Sequence, residues 1–326
     1  MKADLKNKRI LYIGPVSVFY DKALVKKLAD LGAEVDTFNP FFTSFYFKLL
    51  KKIPFGSLEE FKRNHFDKLL SKTGFDYILV RHVSELENSH FSELRSKNPN
   101  AIFINFHWDA LRNDYNYLST LSSFDRVFSF DYKDCQQHKE LRYLPLFFIE
   151  DYEAFKKNKN NDQKKYDILF IGSWRDQERY NLIQSTKEFC QRNDLKFYYY
   201  LQLPFKQQWN SIKKGVVPKE SRNKLLSHKE ILSLFSKSKT IIDFPSSFQT
   251  GLTMRTFEAL GAGKKLITTN KNIQHEPFFD PSYINIIDAE DLDLDLDYIK
   301  SCPTHTIEEK IKNYSLESYI QHLFSI

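Results

Sequence analysis

Two stretches of this chain close in the same way. Lys8–Gly14 (KRILYIG) and Tyr166–Gly172 (YDILFIG) are each a short apolar run ended by glycine. Each opens a half in which short apolar runs alternate with helical periodicity. In the first half the expected strands are Lys8–Gly14, Val35–Phe38, Phe75–His82, Ala101–Phe106, Arg126–Phe130 and Tyr143–Phe148. Helical patterns fall at Val18–Leu31, Leu58–Ser71 and His90–Lys97. The second half repeats the plan, with strands at Tyr166–Gly172, Lys196–Leu203, Thr240–Phe244, Lys265–Thr269 and Tyr283–Ile287. Its helices are Asp176–Arg192, Lys229–Phe235, Leu252–Leu260, Leu292–Lys300 and Ile307–Phe324. Strand and helix alternating at this spacing predict α/β architecture with parallel, doubly wound sheets.

A sheet of that kind binds ligands beyond the carboxyl ends of its strands. In the first half this places Gly14–Ser17, Arg81–Glu85 and His107–Asp109 on one rim. Between the halves, residues 151–165 (DYEAFKKNKNNDQKK) are polar and poor in apolar side chains, a linker composition. With 326 residues, two domains are expected, each large enough for its own core.

Charge and cysteine usage narrow the function classes. Lys and Arg number 48 against 42 Asp and Glu, a net charge of +6. That suits a phosphate-bearing ligand or contact with an anionic membrane surface, demands no nucleic acid, and is also common without any partner. Cys135, Cys190 and Cys302 have neither metal-binding nor disulfide spacing and read as reduced apolar fillers. No apolar run approaches the roughly 20 residues of a membrane span, and Met1–Arg9 lacks a following signal segment, so a cytoplasmic location is expected. The histidines form no H-x-x-H set, so no zinc site is expected. The alternating Asp288–Asp297 run (DAEDLDLDLD) reads as a solvated face rather than a metal site.

The densest chemical signal is Asp243–Asn270 (DFPSSFQTGLTMRTFEALGAGKKLITTN). It reads as strand, polar loop, helix, glycine turn and strand. Backbone N–H groups and the dipole at the helix start favour a phosphate there, near Thr250, Gly251, Leu252 and Thr253. Gly251 permits close backbone approach. Arg255 is placed to add charge-assisted hydrogen bonds to a diphosphate. Glu258, three positions on and on the same helix face, is placed to accept from ribose hydroxyls. The competing reading is an ordinary helix with an Arg255–Glu258 salt bridge.

This stretch resembles the donor-binding segment of GT-B glycosyltransferases of the group 1 type, which have two Rossmann-like domains. More narrowly, GLTMRTFEALGAGKKLITTN is similar to bacterial enzymes assembling surface polysaccharide (lipopolysaccharide and capsule). The specific match covers some 30 residues, the two-domain pattern the whole chain. The resemblance implies an acceptor-binding domain over residues 1–150, a linker over 151–165, and a nucleotide-sugar-binding domain over 166–305. It also implies a last helix, within 306–326, crossing back to the first domain. It makes Glu258 the ribose ligand and the preceding glycine loop the diphosphate site. Many relatives carry a second Glu eight residues before that one. Here the position is Thr250, which puts the retaining mechanism common in the group in question. No metal or other cofactor is implied, since basic side chains and helix starts stabilise the leaving phosphate.

Three further segments carry candidates. In Phe170–Arg179 (FIGSWRDQER), Gly172 ends a strand, and Arg175, with Arg179 in reserve, is the expected donor-phosphate residue. In Tyr12–Ser17 (YIGPVS), Gly14 and Pro15 resemble the first acceptor-side loop, or form a plain tight turn. In Asn105–Asp109 (NFHWD), His107 or Asp109 is the candidate general base for an acceptor hydroxyl, and Trp108 a platform for a sugar. Asp21, Arg81, His82 and Glu85 are further candidates on the same rim. Two other segments suggest anionic surfaces as partners, Phe41–Phe55 as an interfacial membrane element and Lys206–Lys224 as a basic contact. Both also read as ordinary surface.

The expected function is transfer of a sugar from a nucleotide-sugar donor, UDP-linked by preference, to a hydroxyl of a glycan or lipid-linked glycan. A nucleotide-sugar epimerase and a non-catalytic partner of a glycan-assembly complex are the alternatives.

Overall fold

The computed structural model describes residues 4–16, 19–42, 57–81, 85–111, 117–157, 164–204, 220–246 and 248–325. The chain divides into two compact units, Met1–Pro145 with Leu316–Ile326, and Leu146–Ser315. The boundary therefore falls before the polar 151–165 stretch. Tyr152 is buried in the second unit, because an aromatic inside a polar run can still supply a core anchor. Residues 158–163 of the expected linker, most of Phe41–Phe55 and Lys206–Lys224, and His82 lie outside the described residues.

The first unit holds β1 (Arg9–Ile13), β2 (Glu34–Phe38), β3 (Tyr77–Val80), β4 (Ile102–Phe106), β5 (Arg126–Ser129) and β6 (Leu141–Tyr143). They form one parallel sheet in the order β2-β1-β3-β4-β5-β6. Residues Ile10 to Ile13 are all 0% exposed, as expected when helices cover both faces of a parallel sheet. β6 ends at Tyr143, and Leu144–Phe148, expected as strand, continues as a buried non-strand segment.

Growth of this sheet reverses at β1. The chain passes outward to β2, then returns to place β3 on the other side of β1. The register sets Ile13 opposite both Phe38 and Val80. Gly14 and Arg81 follow immediately, so they flank the gap at the switch of strand order, where such sheets hold ligands.

The last helix, Leu316–Phe324, belongs to this unit. The expected continuous helix Ile307–Phe324 is broken at Ser315, whose extended backbone (ψ 158°) ends a short 3₁₀ turn and releases the chain into the final helix. Tyr319, Ile320, Leu323 and Phe324 are buried, each contributing about 1.5–3 kcal/mol of apolar burial. Phe324 meets Tyr77 edge-on at 4.8 Å. The Arg126 guanidinium donates to the carbonyls of Leu323 (3.3 Å) and Ser325 (2.9 Å), satisfying acceptors that a helix end leaves open.

The second unit holds β7 (Tyr166–Ser173), β8 (Phe197–Gln202), β9 (Ser238–Asp243), β10 (Lys265–Thr268) and β11 (Ile284–Ile286). They form a parallel sheet in the order β11-β10-β9-β7-β8. Its reversal lies between β7 and β9. Among the described residues, no helix is long and apolar enough to cross a membrane. All three cysteines are free. Cys190 is buried and Cys135 half-buried, as fillers would be, whereas Cys302 is exposed.

Candidate functional site

In the second unit the switch point is bridged by an arginine. Asp176 caps the helix Gln177–Arg192 by accepting from the Arg179 amide at 2.8 Å, which fixes the first turn beside the end of β7. The Arg179 guanidinium then donates to the Ser173 carbonyl (3.2 Å) at the end of β7 and to the Phe244 carbonyl just past β9. Its Nε is buried without a hydrogen-bond partner. Burial lowers the Arg179 pKa, against the opposing charge of Asp243.

Beside it opens a cavity of about 260 Å³ whose lining includes Arg179, Ser246, Thr250, Asn270, Lys271 and Asn272. The loop before the helix Met254–Gly261 is braced by side-chain amides. Asn270 Nδ2 donates to the carbonyls of Thr250 (3.2 Å) and Gly251 (3.1 Å), and Asn272 Nδ2 donates to Thr250 (3.1 Å). Gln249 adds a bond to the Gly251 carbonyl at 3.2 Å. Gly251 and Leu252 are buried in this turn. Thr253 is the N-cap, accepting from the Thr256 amide, while its hydroxyl donates to Asp243 at 2.5 Å. These bonds tie down Gln249–Gly251 ahead of the helix.

Arg255 and Glu258 pair with each other, as the plain helix reading expects. Glu258 is 2% exposed, and Arg255 lies over the Phe235 ring at 5.3 Å. Burial pushes the Glu258 carboxyl well above the ordinary carboxylate value, and the adjacent guanidinium opposes that shift. Neither residue is among the described lining of the carboxyl-edge cavity. Arg175, the first choice for the donor phosphates, is exposed, whereas the reserve Arg179 is buried and lines the cavity. Gly172 leaves room for the Phe170 ring, which a Cβ there would meet at 2.8 Å.

A second, lysine-rich cavity of about 720 Å³ lies at the opposite, amino edge of the same sheet. Its buried ammonium groups are already committed. Lys264 donates to the Ser238 carbonyl at 2.8 Å, and Lys265 donates to the carbonyls of Tyr298, Ile299 and Ser301. Burial, with help from Lys164, pushes Lys264 down to about 6.

In the first unit the switch point holds a chain of five side chains. Asp21, 0% exposed on the helix Phe19–Asp30, accepts from the Tyr12 hydroxyl and ion-pairs with Arg81 Nε at 2.6 Å. The Arg81 guanidinium lies over the Trp108 ring at 4.7 Å, and the Trp108 indole N–H donates to the Tyr319 hydroxyl at 3.1 Å. Burial raises the Asp21 carboxyl, with Arg81 and the Tyr12 bond acting against it. Burial likewise raises the Tyr12 phenol, helped by the Asp21 charge. Gly14 is required here because a Cβ would come within 2.6 Å of the Tyr12 hydroxyl. Pro15 is half-buried beside it.

His107, one of the two candidate bases, is turned inward, as a structural histidine at a strand end would be. It is 4% exposed, and its Nε2 lies 2.9 Å from Asn105 Oδ1. Because the Asn105 amide nitrogen donates to the Val80 carbonyl at 3.0 Å, that oxygen is the acceptor and His107 Nε2 carries the proton. A buried imidazole committed in this way holds the end of β4 and is poorly placed to deprotonate a substrate hydroxyl. Asp109, two residues on, is exposed. Glu85 is exposed as well.

Among the described residues, no group of three or more His, Cys, Asp or Glu could hold a metal ion. In the Asp288–Asp297 run, Asp288 pairs with Lys271 at 2.7 Å and Asp295 caps the helix Leu296–Lys300. The bracing amides Asn270 and Asn272 and the anchor Asp243 were not picked out from sequence. Their signal was an asparagine directly after a strand, a position that favours side-chain bonds to nearby backbone.

No protein-family model and no curated protein sequence matches the chain. Solved structures do. An alpha-glucosyltransferase in complex with UDP and a 13-mer DNA containing an HMU base aligns over 98% of this chain and 95% of its own, with TM-score 0.60 and 13% identity. The catalytic domain of starch synthase IV from Arabidopsis thaliana, bound to ADP and acarbose, aligns over 98% and 96%, with TM-score 0.56 and 10% identity. The chain has the GT-B fold, with two Rossmann-like parallel sheets of six and five strands.

Proposed function

We propose that this protein is a glycosyltransferase that moves a sugar from a nucleotide-sugar donor, UDP-linked by preference, to a hydroxyl of a glycan acceptor. The observation that carries the reading is the carboxyl-edge cavity of the second unit. A buried arginine with an unpartnered Nε lines it, beside an amide-braced loop that feeds a helix start. A diphosphate suits this site, because it meets a cation, polar side chains and the positive end of a helix together. The UDP- and ADP-bound structures of the same fold support a nucleotide as the occupant.

The chemistry follows from where charge develops. The acceptor oxygen bonds to the anomeric carbon while the bond from that carbon to the diphosphate oxygen breaks, and the leaving diphosphate gains negative charge. Arg179, fixed in place before the reaction, stabilises that charge without reorganising. Asp109, the exposed carboxylate at the end of β4, takes the acceptor proton. Glu258 remains the ribose ligand implied by the resemblance, and it must release Arg255 to serve. Surface polysaccharide as the acceptor, and contact with the inner face of a membrane, belong to the same proposal. They rest on the sequence resemblance alone.

The test is calorimetric titration of the purified protein with UDP, GDP, ADP, TDP and CMP. UDP is expected to bind, and Arg179→Met to weaken it about tenfold, the loss of a charge-assisted hydrogen bond. Failure of all five nucleotides to bind overturns the reading. Release of an epimerised sugar from donor alone overturns it in favour of isomerisation.

A further inference from the structure

The first unit offers a second site, at Arg81. We propose that Arg81 is an anion receptor, and that it binds a phosphate or carboxylate carried by the sugar acceptor. The proposal rests on the glycosyl-transfer reading for the word acceptor, but the anion site stands on its own geometry.

The arginine is ion-paired, yet its buried Nε makes no hydrogen bond. Asp21 meets it side-on, at Nε, 2.6 Å away. No hydrogen bond joins either terminal nitrogen to another described residue. A carboxylate that serves only to neutralise a guanidinium commonly takes two parallel bonds from it, and here that fork remains available. The side chain is 14% exposed, so the fork is not sealed in the core.

Its orientation is set from both sides. Trp108 supports the guanidinium plane at 4.7 Å, and Tyr319 holds Trp108 by a 3.1 Å hydrogen bond. The Tyr12 hydroxyl holds Asp21, and Gly14 leaves space for that hydroxyl. A fixed, planar donor pair loses little freedom when it binds a matching anion. The position is also the switch in strand order of the sheet, immediately after β3 and beside the end of β1. Among the five side chains of this network, only Arg81 brings an unspent charge-bearing donor to that gap.

The experiment uses the full chain labelled with ¹⁵N. Its three tryptophans give three indole signals, and Trp108→Phe identifies the one that reports on Arg81. Glucose 6-phosphate, glucuronate and glucose are titrated separately. A saturable shift of the Trp108 signal with an anionic sugar, and none with glucose, is expected. Response to the phosphate alone assigns a phosphorylated acceptor, and response to glucuronate alone assigns an acidic sugar. Arg81→Gln should weaken the response about tenfold or more, the loss of a charged hydrogen-bond pair. Asp21→Asn with Arg81→Gln keeps the buried contact neutral and serves if the single variant does not fold.

Equal binding of glucose, no shift with either anion, or unchanged affinity in a folded Arg81 variant overturns the proposal. UDP is titrated in the same samples. Failure of UDP and of the other four nucleotides to bind the unmodified chain defeats the transferase reading, whereas the anion curve decides this one.

Discussion

Both sheets reverse their growth beside their first strand, and in both an arginine occupies the gap. The two arginines are held differently. Arg81 leans on a fully buried carboxylate and an indole face, whereas Arg179 is held by two main-chain carbonyls at the ends of neighbouring strands. Asp21 touches Arg81 directly, whereas Asp243 and Asp176 act on Arg179 only through space. On the readings proposed above, the second site takes a diphosphate and the first a single anionic group. Shared topology sets where a ligand goes, while the counter-group sets which ligand.

The contrast is broken most forcefully at Arg81. Arg81→Met leaves Asp21 buried without a cation, and an expected loss of about 3–5 kcal/mol should appear in urea denaturation. Adding Asp21→Asn should restore much of it, since the buried charge is gone. Arg179→Met removes a donor from neutral acceptors and should cost less, about 1–3 kcal/mol, while nucleotide affinity falls. If Arg179→Met proved the more destabilising of the two, the comparison would fail.

The Arg255–Glu258 pair sharpens the point through pH. Burial raises the Glu258 pKa, so its contribution to stability is full below the ordinary carboxylate value and is lost as pH rises through the raised one. Arg255 offsets that loss by pairing with the ionised form. Arg255→Met should therefore differ little from the parent at pH 4 and grow steadily less stable toward pH 8, read as denaturation midpoints. A constant difference across that range would show that Glu258 does not ionise in the fold. The smallest effect belongs to Thr253→Ala, which removes a helix cap and the Asp243 partner. It should cost about 1 kcal/mol in thermal unfolding.

Much of this was legible before any coordinates. Runs such as Ile10–Ile13 and Ile168–Phe170 are apolar on both faces, which only a covered parallel strand tolerates. The Arg255–Glu258 pair is three residues apart on one helix and follows from spacing. The Asp21–Arg81 pair does not, because it needs the strand order to bring a helix and a distant strand end together. The environment of His107 is hidden for a related reason. A histidine after a strand looks the same in sequence whether it faces solvent or, as here, the Asn105 amide and the Tyr117 ring. The break at Ser315 was hidden because apolar periodicity runs across it without glycine or proline.

The final helix has a consequence for how the molecule is made. Tyr319 props Trp108, and Leu323 and Phe324 complete the core of the first unit, yet the entire second unit is synthesised in between. During translation the first sheet must wait with an apolar groove uncovered until the helix Leu316–Phe324 emerges. The second unit, continuous in sequence, can fold ahead of it. The unit begun before the other is then completed after it, and Arg81 gains its supported platform only once the whole second unit has been made.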